Sequence, residues 1–583
     1  MWRADPGRWP LAILAVLLGA LALRVWGYRH GLPFVYNADE NAHFVARSIG
    51  MFGHTYNPNY FINPPGFTYV LHVLFWLRWG GEEVQRTLSG DPGAVFGLAR
   101  LASAAFGTLA VGLLLVAGAR LFDRRTGLLA ALLLAVAFLP VHYSHYALND
   151  IPTLAPLCLA LVGVAGVLRR GARLDYLIAG AGLGLACAMK YTAGIVLLCL
   201  LAAAVLSLRS RERTERSPAP PRPTDRLLGL GLAGIAAAAG FLLANPFALL
   251  DFEAFRAGLE QQSSASNDGG GKLGLTSDDG LLYYLWTLTW GLGWLPLVAA
   301  AGGAAALLAR DRRTAWVLLP AVVVFALFMG SQDRFFARWL LPVYPLLCLL
   351  AAHGATVVAR AVAGRLPRAM AWAPVALAAV ALCAQGVVFS VHNDIVLSRA
   401  DTRQLAREWM VENVPAGAKV VVEPIAPDQW AMDPGDPRMA GNGNRWNKWP
   451  TSRSLIRNDG TRITSGRGRI VKLEDYERTT RPELVDAYER GGYCWVLTGS
   501  TQYGRAFAEP REVPRAIDYY EELERRGEVA YRISPYGSGD EVASFSFDFS
   551  FNHYPLAYER PGPEIVIYRL TGADCADEPS VPS

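Results

Sequence analysis

Apolar residues in this chain gather in blocks of about 17 to 25, the length that crosses a bilayer core as a helix, with short polar or basic loops between them. Eleven such blocks are read, at roughly 9–28, 94–118, 127–146, 152–168, 174–189, 192–208, 227–246, 281–308, 314–330, 339–358 and 369–391. The pattern predicts a polytopic α-helical membrane protein with about 11 transmembrane helices. The first block lacks a small-residue cleavage site and is followed by many like it, so a retained anchor is expected. Beyond residue 392 the pattern changes to charged, Pro-rich and Gly-rich sequence without a long apolar run. Helical stretches at 402–413, 482–490 and 517–526 each precede a short apolar run, at 420–423, 493–498 and 529–533, which predicts a small α/β domain. Two domains follow, 1–391 in the membrane and 392–583 outside it. Residues 430–470, with Trp430, Trp446 and Trp449, read as a long loop against the membrane domain or a ligand.

One polar stretch stands out within the first part. Between the first two blocks lies a loop at 29–93, and its residues 36–66 place Asp39 and Glu40 a short step beyond a span. Ala42, Val45, Ile49 and Phe52 then recur at helical spacing. This predicts a helix lying along the membrane, with both acids in its first turn, where the helix dipole favours ionised carboxylates. The apolar run 67–79 is too short and interrupted for a span and reads as a second juxtamembrane helix.

Charge gives the chain a direction. Of its 583 residues 52% are hydrophobic, and the net charge of +5 is modest and says little about nucleic acid, which is not an expected partner. Arg120, Arg124 and Arg125, Arg169, Arg170 and Arg173, six Arg between 209 and 226, Arg310, Arg312 and Arg313, and Arg360, Arg365 and Arg368 mark one set of loops. By the positive-inside rule these loops and the N-terminus are cytoplasmic. Asp39, the 247–280 loop and everything after 392 then lie outside, and the expected location is the inner (cytoplasmic) membrane of a cell. Cys158, Cys187, Cys199, Cys348 and Cys383 fall in spans as small apolar residues, which leaves Cys494 and Cys575 for one disulfide. The GGGK at 269–272 lacks P-loop spacing and reads as a flexible tip. The loop 261–280 has the composition of a mobile gate beside the site.

The residues with chemistry on the outer side are scattered: Asp39, Glu40 and Asn63 on the first loop, His142, His145 and Asp150 on the second, Lys190 with Tyr191, and Arg334 with Arg338. Asp39, Glu40, His43, Ala46 and Gly53, then Pro64 and Pro65, then His145, Tyr146, Asp150 and Pro152, then Lys190 and Tyr191, then Arg334, Arg338, Pro342 and Pro345 together form a pattern. It resembles the GT-C glycosyltransferases, and within them the dolichyl-phosphate-mannose protein mannosyltransferases and bacterial aminoarabinose transferases. His43 stands where an aromatic, often Tyr, is usual, and Asn63 where Lys or another polar residue often precedes the prolines. The resemblance covers most of 9–391 and implies a GT-C fold.

It also implies a reaction. No nucleotide sugar is found outside the cytoplasmic membrane, so an outward-facing glycosyltransferase needs a polyprenyl-phosphate-linked sugar donor, which it transfers with inversion to an extracytoplasmic protein, lipid or envelope-glycan acceptor. Asp39 is expected as general base, with Glu40 and Asp150 beside it and Asp150 positioning the acceptor or holding a cation. Lys190, Arg334 and Arg338 are expected at the phosphate, with Tyr191, His43 and Asn63 also binding substrate. No cofactor is required; Asp39, His145 and Asp150 are the candidates to hold a divalent metal. A transporter of lipid-linked sugars is the alternative, but repeated halves and mid-span ionisable residues are not found in the sequence.

Overall fold

The computed structural model describes residues 8–209, 223–267, 273–275, 277, 279–433, 444–449, 473–537, 539 and 541–575. Among these, six helical stretches are long and apolar enough to cross a membrane: Pro92–Leu121, Thr224–Leu243, Gly280–Arg310, Arg312–Gly330, Ala337–Ala363 and Ala373–Asn413. Trp9–Val25, Leu154–Arg169 and Tyr191–Ser207 are shorter apolar helices, and the block at 174–189 forms the 17-residue helix Arg173–Met189. The block expected at 127–146 is not one helix. Arg124–Val136 ends at Ala137, whose backbone is extended in ψ, and after the short helix Phe138–Tyr143 the chain runs irregularly through His145 to Asp150. Small residues let several helices meet closely, as lipid gives no hydrophobic drive between them. A Cβ on Gly163 would lie 2.2 Å from the Ala179 nitrogen, and one on Gly180 would lie 2.1 Å from the Ala233 carbonyl.

The basic loops gather at one end of this bundle. Arg360 pairs with Asp123 at 2.6 Å, Arg169 with Asp311 at 3.6 Å, Arg120 with Asp175 at 3.7 Å and Arg173 with Asp225 at 3.4 Å. Arg338 and Arg360 stand near the two ends of one helix, Ala337–Ala363, so Arg338 and its neighbours lie at the other end. That end carries the first loop. Its expected helix starts with a π-helical turn, Glu40–Phe44, before Val45–Gly50. The wider turn shifts the register, so Val45, Ile49 and Phe52 are buried as expected while Ala42 is exposed. The run at 67–79 forms the helix Gly66–Trp79, and a further helix, Glu83–Gly90, follows.

Past Leu397 the chain builds a five-stranded sheet of order β2-β1-β3-β5-β4, with β1 Lys419–Val422, β2 Asn447–Lys448, β3 Trp495–Gly499, β4 Gly527–Ile533 and β5 Ile565–Leu570. β1 runs parallel to β2 and β3, while β5 runs antiparallel to β3 and β4. Helices Thr402–Asn413, Glu483–Arg490 and Pro514–Arg526 stand where helical sequence was read. β5 lies outside the three predicted apolar runs, although its Ile565–Tyr568 stretch is buried between β3 and β4. Trp430 and Trp446 are fully buried in the core of this part, not turned toward the membrane or a ligand; much of the remaining 430–470 stretch lies outside the described residues. Cys494 and Cys575 are disulfide-bonded. Residues 252–267 are helical, which corrects the first part of the expected 261–280 gate; the GGGK stretch lies outside the described residues.

The sheet and the first loop share one core. Phe34 is buried among the β1 and β3 side chains, with Arg403 stacked on Tyr36 at 3.8 Å and Arg407 over Phe34 at 5.1 Å.

Glu423, immediately after β1, is buried and accepts hydrogen bonds from the Gly499 amide at 2.9 Å and the Tyr520 hydroxyl at 2.8 Å. Burial pushes its carboxyl up to about 8 against these two bonds, with Glu477 adding to the rise. An acid whose folded pKa lies above its unfolded value of about 4.3 binds more protons when folded, so its contribution to stability is full at low pH and disappears as pH rises through about 8. The unfolding midpoint of the sheet region, followed by near-ultraviolet circular dichroism, is therefore expected to fall between pH 5 and 9, and Glu423→Gln should flatten that fall.

Candidate active site

Where the first loop, the second loop and the sheet region meet, they enclose a cavity of about 660 Å³. Its floor is built by backbone breaks. Helix Arg173–Met189 stops because Lys190 is extended, at φ −155° and ψ 123°, which turns the lysine inward. There its ammonium pairs with Asp150, which the irregular second loop presents from the other side. The chain entering Gly66–Trp79 lies against this break: a Cβ on Gly66 would be 2.6 Å from the Ala188 carbonyl, so the turn after Pro64 and Pro65 needs glycine.

Asp39 projects into the cavity with its side chain 40% exposed, ion-paired with Arg338 and 3.6 Å from the His43 Nε2. The His43 ring stacks on Tyr60 at 4.9 Å, and the Arg47 guanidinium lies over the Tyr60 ring at 3.9 Å. Asn37, not Asp39, caps the turn: its Oδ1 accepts the Asp39 and Glu40 amides, both at 3.1 Å. Enclosure raises the proton affinity of Asp39, but Arg338 and then His43 more than offset this and hold the carboxyl well below the usual carboxylate range. The cause of its ionisation is thus a guanidinium 299 residues away rather than a helix dipole.

Asp39, His43, Asn63, Asp150, Lys190, Tyr191, Arg334 and Arg338 all line the cavity. Asn63 donates to the Tyr60 hydroxyl at 3.0 Å, and Tyr191 to the Phe61 carbonyl at 2.9 Å. The guanidiniums of Arg334 and Arg338 both sit over Phe336, at 5.2 and 5.1 Å.

Two expected members are elsewhere. Glu40 is fully buried and bridged to Arg100, Nε to Oε1 at 2.7 Å and Nη2 to Oε2 at 2.8 Å. Adjacent helical residues point in different directions, so Glu40 anchors the turn from beneath while Asp39 faces the cavity. His145 is also buried outside the cavity. Its Nε2 meets the Trp26 carbonyl at 2.8 Å and lies 3.4 Å from Asp394, and its Nδ1 faces the Val141 carbonyl at 2.9 Å. Asp39, His145 and Asp150 are therefore not brought together, and the described residues contain no cluster of three or more metal-ligating side chains.

A family model described as dolichyl-phosphate-mannose-protein mannosyltransferase matches residues 87–220. The structure resembles that of ArnT from Cupriavidus metallidurans bound to undecaprenyl phosphate, with a TM-score of 0.53 at 15% identity over 97% of this chain and 98% of that one. The chain has the GT-C fold. The oligosaccharyltransferase of Archaeoglobus fulgidus in its apo form also aligns, with a TM-score of 0.50 at 15% identity, over 93% of this chain and 75% of that one. Comparison with curated proteins by sequence gives no match. The recognition made from the scattered motifs is thus borne out, and the GT-C membrane part is helical as expected.

Several residues that line or support this cavity carry no signal in the sequence. Arg100 looks like any residue in a span opening, and only its burial against Glu40 reveals it. Tyr60 and Tyr143 lacked a motif. Arg505, Phe547, Phe551 and Asn552 come from the sheet region, more than 300 residues beyond the first loop, and also line the cavity.

Arg100 completes its coordination with the Tyr28 and His30 carbonyls at 2.9 and 2.8 Å. Removing one partner of a buried, fully bonded pair leaves the other charge stranded, at a cost of about 3 to 5 kcal/mol. Arg100→Met is expected to lower the unfolding temperature of the detergent-solubilised protein markedly. Asp39→Asn, at a partly exposed site, should leave that temperature within a few degrees.

Proposed function

We propose that the protein is an inverting glycosyltransferase that moves a sugar from a polyprenyl-phosphate donor to an acceptor hydroxyl outside the cytoplasm. The observation that carries this reading is the convergence of Asp39, Asp150, Lys190, Arg334 and Arg338, from four separate stretches of sequence, on one cavity large enough for a sugar phosphate. The shorter apolar helices complete about eleven spans, the paired basic loops face the cytoplasm, and the sheet region beyond residue 392 forms an extracytoplasmic α/β domain. The family-model match and the ArnT structure, with its bound undecaprenyl phosphate, support the donor class.

Asp39 accepts the proton of the acceptor hydroxyl as its oxygen attacks the anomeric carbon, and the polyprenyl phosphate leaves from the opposite face. Lys190, Arg334 and Arg338 stabilise the charge that grows on the departing phosphate. Paired with Arg338, Asp39 is securely ionised but a weak base. A donor phosphate that draws Arg338 toward itself relieves this, so donor binding raises the proton affinity of Asp39 when it is needed. Asp150, neutralised by Lys190, positions the acceptor. His43 and Asn63, joined through Tyr60, line the acceptor side.

Asp39→Asn keeps the side-chain shape and removes the proton acceptor. Turnover in vesicles supplied with polyprenyl-phosphate sugars should drop at least about 10²-fold with donor affinity nearly intact, while Asp150→Asn should chiefly raise the acceptor KM. Full turnover by Asp39→Asn together with a silent Asp150→Asn would move the base to the second loop.

A further inference from the structure

Hydrogen bonds that converge on one buried carboxylate link a membrane helix, the sheet region and the cavity wall. The segment from Ser546 to Tyr554 leaves the sheet region and inserts among the helices. Its His553 ring packs on Trp290 at 4.9 Å and on Phe138 at 5.5 Å, and the Phe551 carbonyl faces the His142 Nε2 at 3.2 Å. Asp548 in this segment is fully buried, and its Oδ1 accepts from the Tyr283 hydroxyl and from the Asn552 Nδ2, both at 2.6 Å. Asn552 Oδ1 in turn accepts from the hydroxyl of Tyr143.

These directions are not interchangeable. Turning the Asn552 amide over would set its oxygen against the Asp548 carboxylate, so the amide nitrogen must face Asp548 and the oxygen must face Tyr143. Tyr143 therefore commits its single O–H to Asn552. What its oxygen can offer a ligand is a lone pair. Tyr143 lines the cavity, close enough to Asp39, Arg338 and Asp150 for their charges to act on its hydroxyl, and half-buried Phe551 borders the same space. A fixed acceptor oxygen beside an aromatic ring suits a saturated ring with an apolar face that carries a hydroxyl or amino donor, which describes a sugar.

We infer that Tyr143 accepts a hydrogen bond from the sugar of the lipid-linked donor, and that Asn552, held by Asp548, is the positioning residue that fixes this direction. The inference rests on the glycosyl-transfer reading above. Through it the sheet region takes part in choosing the sugar, although the reacting groups belong to the helical part. A site built to hydrogen-bond one donor group discriminates strongly against a ligand lacking it, because the buried oxygen is then left unpaired.

The test uses the full-length protein and measures dissociation constants for polyprenyl phosphate bearing mannose, glucose, galactose, arabinofuranose or aminoarabinose, and for the bare lipid phosphate. At least one sugar lipid should bind more tightly than the bare phosphate. Tyr143→Phe should weaken that lipid about tenfold and leave the bare phosphate unchanged. Asn552→Leu should reproduce the same selective loss, and the double variant should lose no more than either single one. If Tyr143→Phe changes sugar and bare lipids equally, or changes neither, the inference is overturned. It also fails if no sugar lipid outbinds the bare phosphate in the unaltered protein. Binding of neither kind of lipid would instead remove the glycosyl-transfer reading itself.

Discussion

The ion pair between Glu40 and Arg100 holds the parts of the cavity in register. Each end of the Arg100 guanidinium is engaged, by both Glu40 oxygens and by the carbonyls of Tyr28 and His30, and Glu40 Oε1 also accepts the Ala147 amide at 2.8 Å. Four stretches thus meet on one pair of charges: the exit of the first helix, the first-loop turn, the start of Pro92–Leu121 and the second loop. A charge pair in a dry interior is tolerated only when its hydrogen-bonding capacity is filled, and here the partners are backbone groups that any displacement would break. The pair therefore acts as a positional lock. With Glu40 held inward, Asp39 is turned into the cavity, and the second loop is held where Asp150 can meet Lys190.

Above this lock the cavity is organised by charge matching. Two carboxylates in one enclosed space would repel, and one would take up a proton. That does not happen to Asp39, because each acid has its own cation: Arg338 for Asp39 and Lys190 for Asp150. The Arg338 guanidinium holds the Asp39 carboxyl well below the usual carboxylate range. Any anion that enters the cavity must compete with these resting pairs for Arg338 and Lys190.

The sheet region is built into this site. Its core takes in Phe34 from the first loop, Arg403 and Arg407 stack on Tyr36 and Phe34, and the Ser546–Tyr554 segment reaches between membrane helices. Both contacts flank residues that line the cavity, the first three residues before Asp39 and the second at Tyr143. Loss of packing in the sheet region is thus transmitted to the cavity through bonded groups.

The sequence by itself determined whatever depends on neighbours along the chain. Long apolar blocks, basic loops, the helix at 402–413 and the placing of Asp39 beside a span exit all follow from local periodicity and from the cost of burying unpaired polar groups in lipid. Eight of the expected site residues line the cavity because their motifs sit at helix breaks, where Pro, Gly and polar residues are visible in the sequence. Tertiary structure alone decided the rest. Adjacent Asp39 and Glu40 look equivalent in sequence, and only Arg100, sixty residues beyond Glu40, makes one a buried anchor. The π turn that exposes Ala42 keeps the apolar spacing while changing the face it presents. His145 sits in a motif with Asp150, yet its ring is claimed by the Trp26 carbonyl. Asn552 and Tyr143 meet across 409 residues. Hydrogen bonds and ion pairs act over a few ångströms in space, whatever the distance along the chain, so a single sequence marks the residues capable of them but not which partners they find.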